Sequence, residues 1–158
     1  MSPLHIEVSR NSDGWPDALD ARAEQAVREA LKQSKATVTG ASELSVVLTN
    51  DEEQQTLNRD WRGIDKATNV LSFPQIEPFG AVAGILGDVI LARETLEREA
   101  KEEGVSFEDH FTHLMVHGFL HILGYDHLDD DEALVMESLE TQILASLGVA
   151  DPYAEDDR

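Results

Sequence analysis

The chain has 158 residues, with 32 Asp and Glu against 12 Lys and Arg, so its formal net charge is −20 when every His is neutral. That is the length of one ordinary domain, and a 41% hydrophobic fraction gathered into runs such as 46–48 and 70–71 excludes wholesale disorder. The absence of cysteine excludes a disulfide framework, a thiolate metal site and a Cys nucleophile, leaving histidine, carboxylate and water for any metal chemistry.

Residues 4–8 alternate Leu4, Ile6 and Val8 with His5 and Glu7, the pattern of a half-buried strand. The first ten residues hold no long apolar stretch or small-residue cleavage site, and no window approaches the roughly 18 apolar residues of a membrane span. A cytoplasmic protein with no membrane partner is expected. Asn11, Asp13, Gly14 and Pro16 break the strand, and a helix is expected over 16–35, with Leu19, Ala23, Ala26, Val27, Ala30 and Leu31 on one face. Residues 44–49 suit a buried strand. Asn50 ahead of Asp51, Glu52 and Glu53 predicts an N-cap and acidic first turn for a helix fading near 61–63.

Residues 69–73 read as a short strand stopped by Pro74, 75–84 as a loop of the kind that borders a site, and 87–92 as a fourth strand. Helices are expected over 93–103, from Ser106 to about 123, and over 130–147, the last with Leu134, Val135, Leu139, Ile143 and Leu147 at helical spacing. The sum is one α+β domain over 1–150, a small mixed sheet of about four strands packed with about five helices, and an acidic tail over 151–158 expected to fray. The His-bearing helix is expected to line a metal cleft.

Five of the six histidines, His110, His113, His117, His121 and His127, fall within eighteen positions. His117 and His121, four apart, share a helix face at about 6 Å and are able to bind one metal. Gly124 lets the helix end in a left-handed turn that returns His127 to the same ion. Three neutral imidazoles with an open position suit a catalytic Zn2+ whose bound water supplies hydroxide near neutral pH. His113 and His121 lie about 12 Å apart along the axis and cannot share an ion. His113 and His110 are therefore read as supporting or cleft-wall residues, with a plain surface role equally open for His110. Asp126 either orients a ligand through its second ring nitrogen or caps the turn.

The same spacing, with a glycine three after the second His, occurs in metzincin proteases. Their general base is the Glu after the first His, and here that position is Gly118, which accepts no proton. The stretches WRGIDKATNVLSFP (61–74), LGDVIL (86–91) and HGFLHILGYDH (117–127), in that order, closely resemble the YbeY family of bacterial endoribonucleases, over about 44–153. The resemblance implies a zinc-dependent, single-strand-preferring endoribonuclease acting in ribosomal RNA maturation at the 3′ end of the small-subunit RNA and in ribosome quality control. Precursor rRNA and the ribosome or small-subunit proteins would be its partners. The family's zinc ligands carry over onto His117, His121 and His127 and its functionally important arginine onto Arg62, while Ile64 and Ala67 stand where the family often has Lys and Pro.

The residues themselves agree on Arg62. Arg59, Arg62 and Lys66 lie within eight positions of a largely acidic chain, and a planar guanidinium binds phosphate bidentately and stabilises developing charge. The structural alternative pairs Arg62 with Asp60 or Asp65. The expected mechanism uses the zinc-bound water and Arg62 as its catalytic groups, with water or the RNA 2′-hydroxyl as nucleophile. Trp61 and Phe73 are either base-stacking or packing residues, with packing favoured for Phe73. Competing classes are a metallopeptidase or other hydrolase using the same triad, and a noncatalytic ribosome assembly factor with a structural metal. Acidity makes binding to bulk nucleic acid unfavourable, because a basic footprint is what releases counterions from phosphates.

Overall fold

A computed structural model describes residues 4–34 and 36–153. The end of the first expected helix at Lys35 and most of the expected tail, 154–158, lie outside the described residues. Alternation produces β1 (Leu4–Arg10), with Leu4 and Ile6 buried and His5 and Glu7 exposed. The chain turns at Pro16 and enters α1 (Leu19–Gln33) three residues later than expected, burying Leu19, Ala23, Ala26, Val27 and Ala30. β2 (Val38–Thr49) follows, then α2 (Asp51–Arg62), where Asn50 caps the helix by accepting from the Glu53 amide at 2.8 Å.

β3 (Val70–Pro74) and β4 (Val82–Ala92) lead into α3 (Arg93–Glu103), α4 (Phe107–Leu123) and α5 (Asp130–Ser146). The strands form one sheet in the order β1-β2-β4-β3, with β1 and β4 parallel to β2 and β3 antiparallel to β4, so the mixed four-stranded sheet and five helices match expectation. β2 and β4 begin several residues earlier than the sequence suggests. Gly40 and Gly84 look like breakers, yet each lies inside a strand, because these two strand ends pair with each other through register shifts between Val38 and Ser42 and between Glu43 and Leu44. The expected 75–84 loop accordingly shortens.

α4 is the central helix, packing on α1, α3, α5, β3 and β4. Phe111, Met115, Val116, Phe119, Leu120 and Ile122 are all fully buried around it. One stripe remains for polar groups, and His110, His113, His117 and His121 occupy it. α5 keeps its expected face from Leu139 through Ile143 to Leu147, all packed on the core, but Leu134 and Val135 are 66% and 57% exposed, while Met136, Glu140 and Leu144 are buried. The reason lies on α4, whose histidines draw the Glu140 side of α5 inward.

Candidate metal centre and cleft

His117 and His121 sit one turn apart near the end of α4, with Nε2 atoms 3.1 Å from each other. Two ligands about 2.05 Å from a tetrahedral ion stand roughly 3.3 Å apart, so this pair already has the separation zinc requires. Gly124 closes the helix at φ 117°, its N–H bonding the His121 carbonyl and the Tyr125 N–H that of Leu120. A Cβ at Gly124 would come within 2.8 Å of the Phe79 nitrogen and the Pro78 Cα, so the turn accepts no side chain. Beyond it the chain reverses and brings His127 back, so that one nitrogen from each of His117, His121 and His127 lies within 4.8 Å of the others.

The supporting groups fix ring orientation. His117 Nδ1 donates to Glu140 Oε2 at 2.7 Å, which fixes the ring with Nε2 on the side of His121. His113 Nε2 donates to Glu140 Oε1 at 3.0 Å, and the Tyr153 hydroxyl to the same oxygen at 2.6 Å. Glu140 is fully buried. Burial alone would raise its pKa, but the bonds from His113 and His117 and their charge outweigh that and hold it at about 2. Burial and then the Glu140 charge push the Tyr153 hydroxyl up, keeping it a donor.

For His121, burial and then the neighbouring His117 lower the pKa, favouring the neutral ring that ligates metal. Of the two roles open to Asp126, the turn-tying one is made by a hydrogen bond. Its Oδ1 accepts the His127 N–H at 2.8 Å, tying the turn, and stands 3.4 Å and 4.0 Å from the Nδ1 atoms of His127 and His121. His110 is neither on the surface nor in the cleft wall: it is 3% exposed and bonds Glu99 of α3 at 2.8 Å. Asp88 lies mid-strand in β4 opposite Phe73, away from the cleft lining.

The three histidines line a cavity of about 590 Å³ together with Trp61 and Arg62 from the end of α2 and Thr68 and Ser72 from the β3 side. Asp126 is the only carboxylate among its lining residues. Neither expected partner holds Arg62. Asp60 pairs with Arg59 at 3.2 Å, Asp65 accepts from Gln55 at 3.1 Å, and Arg62 makes no ion pair among the described residues. Ile64, where the family often has Lys, is 38% exposed.

Sequence reasoning missed four groups. Glu140 and Tyr153 hold the histidine stripe. Gln54 and Asn58, buried on α2, hold the cleft wall: Gln54 accepts the Thr68 N–H at 2.7 Å and donates to the Ile90 carbonyl at 3.1 Å, while Asn58 donates to the Lys66 carbonyl at 2.9 Å. A Glu three residues before Ile143 and four after Met136 was the available signal for Glu140. Gly118 gains a structural explanation. A Cβ there would meet Val89 Cγ1 at 2.9 Å, Val70 Cγ2 at 3.2 Å and Ser72 Oγ at 3.3 Å, so the position faces the sheet.

Comparison with known proteins agrees with this geometry. Residues 7–148 match the family model described as endoribonuclease YbeY. Among curated relatives, an endoribonuclease YbeY of Agrobacterium fabrum is 50% identical, covering 98% of this chain and 97% of its own. One from Rhizobium johnstonii is 49% identical, covering 99% and 97%, and one from Rhodopseudomonas palustris 50% identical, covering 99% and 96%. A solution structure from Thermotoga maritima shares the fold, with a TM-score of 0.61 at 24% identity over 97% of this chain and 92% of that one.

Proposed function

The chain belongs to the endoribonuclease YbeY family, and on that premise we propose that it is a zinc-dependent endoribonuclease that cuts single-stranded RNA. The observation that carries the proposal is the cleft itself: three converging imidazoles, an unpaired guanidinium and a single carboxylate line one cavity. Zinc bound there supplies Lewis acidity toward a phosphoryl oxygen and makes water more acidic. His117, His121 and His127 would hold the ion, with the His117 ring kept in orientation by Glu140 and the His127 turn tied by Asp126. Arg62 binds the scissile phosphate and balances the charge that develops as the bond breaks. Thr68 and Ser72 line the same cavity, while Gly118 offers no base for a peptidase and faces the sheet.

Precursor ribosomal RNA in the cytoplasm, near the 3′ end of the small-subunit RNA, is the proposed substrate, with ribosomal or small-subunit proteins delivering it. The −20 charge supports delivery by partners, since such a body does not attract bulk RNA. No helix among the described residues is long and apolar enough to cross a membrane. The test is to incubate the metal-loaded protein, His117→Ala and Arg62→Ala with RNA and with an unstructured protein. RNA cleavage lost in both variants is expected. Cleavage of the protein substrate would favour a peptidase, and cleavage of neither polymer an assembly factor. Product ends identify the nucleophile: a 2′,3′-cyclic phosphate excludes direct hydrolysis, and a 5′-phosphate excludes attack by the 2′-hydroxyl.

A further inference from the structure

Trp61 is 75% exposed, the most open aromatic ring among the described residues, and it lines the same cleft as the three histidines. Its exposure follows from where α2 ends. Gln54, Asn58 and Trp61 are spaced by four and three, which places them on one helical stripe. The first two are buried against residues 66–69 and the sheet, whereas Trp61 lies one turn further on, beyond the segment they anchor. The other cleft aromatics are committed. Tyr125 packs edge-on against Phe79 with centroids 5.0 Å apart, and Phe73 is half-buried in β3. Trp61 makes no ring contact among the described residues, and its neighbour in sequence is the unpaired Arg62.

We propose that Trp61 is the platform on which an unpaired nucleobase stacks beside the phosphate held by Arg62, and that this stacking selects single-stranded over paired RNA. The inference rests on the ribonuclease reading above and names the part of the substrate that this wall recognises. An indole face accepts any base, but only one free of its own duplex stack. Stacking also answers the charge problem. A chain of net charge −20 with one arginine in its cleft gains little from phosphate contacts, whereas base–aromatic stacking carries affinity without a basic footprint.

The chain has two tryptophans, and Trp15 is buried with its indole N–H on the Thr49 carbonyl at 3.0 Å, so it gives a steady fluorescence background. The metal-loaded protein is titrated with a 2′-O-methyl oligoadenylate, the same oligomer in a duplex, and an abasic oligomer of equal length. Saturable quenching by the first alone, absent in Trp61→Ala, is expected. Quenching by the abasic chain, or none by any, overturns the proposal. In cleavage assays on single-stranded RNA, Trp61→Ala is expected to raise KM by roughly 5- to 150-fold with far less effect on kcat, and Trp61→Phe to recover most of the loss. An unchanged KM in an active Trp61→Ala protein overturns it equally. Wild-type protein that quenches but never cuts RNA leaves stacking standing and removes the ribonuclease reading instead.

Discussion

His117 Nδ1 and Glu140 Oε2 stand 2.7 Å apart, a bond that joins α4 to α5 and orients a ring of the three-histidine group from a residue 23 positions further along the chain. Glu140→Gln keeps the side chain's size but removes the charge and turns one acceptor into a donor facing His113, His117 or Tyr153. Zinc affinity is expected to fall 10- to 100-fold, read by competition with a fluorescent chelator. Unchanged affinity would show that the carboxylate does not position His117.

Arg62 has no ion pair among the described residues, so its removal separates function from stability. Arg62→Ala is expected to melt within about one degree of the parent and to lose roughly 100- to 1,000-fold in kcat on RNA, the loss typical of a deleted charge-stabilising donor. Arg62→Lys keeps the charge without the fork and is expected to fall between. A large drop in melting temperature for Arg62→Ala would mean that the guanidinium is structural.

Gly118 faces Val89, Val70 and Ser72 rather than the histidines. Gly118→Ala is therefore expected to cost about 1–3 kcal/mol through overpacking, measured by chemical denaturation. Restoring the protease-like residue with Gly118→Glu is expected to destabilise further without producing peptide cleavage. Peptidase activity in that variant would refute the placement of this position against the sheet.

Gln54 is buried and satisfies the Thr68 N–H and the Ile90 carbonyl. Gln54→Ala removes the acceptor of the Thr68 N–H and is expected to cost about 1–3 kcal/mol. Hydrogen exchange at the Thr68 amide is expected to quicken more than at Val89 in the sheet centre. Equal acceleration at both sites would show a global loss of stability instead of a loosened cleft wall.

Chelation tests how far the metal supports the fold. The core around Phe111, Met115 and Phe119 includes none of the three converging histidines, so the circular dichroism of the chelated protein is expected to match that of the loaded one. Its melting temperature is expected to be roughly 5–10 °C lower than at zinc a hundredfold above Kd, where binding contributes about 2.7 kcal/mol. Unfolding on chelation would make the ion structural.

Local rules made several features legible. Asn50, Ser106 and Asp129 each accept from the amide three residues on, at 2.8, 3.1 and 2.8 Å, so these helix starts were written in short polar signals. The face of α1 followed from its apolar spacing, whereas that of α5 did so only from Leu139 onward. Leu134 and Val135 are more apolar than Glu140, and it is the histidines of α4 with Tyr153 that make burial of a carboxylate favourable. Likewise Gly40 and Gly84 lie within strands because each strand end supplies the other's partner.

By itself the sequence determined what chain-local geometry controls: the helical spacing of His117 and His121, the glycine turn that returns His127, the capped helices and the αβ composition of the domain. Tertiary structure decided what depends on groups far apart in the chain. It turned Glu140 and Tyr153 onto the histidine stripe, set Gln54 beneath the cleft wall, took Asp60 and Asp65 away from Arg62, and faced Gly118 to the sheet. The physical reason is that periodicity assigns a residue to a face, whereas the free energy of burying a charge or amide depends on which partners the fold brings to it.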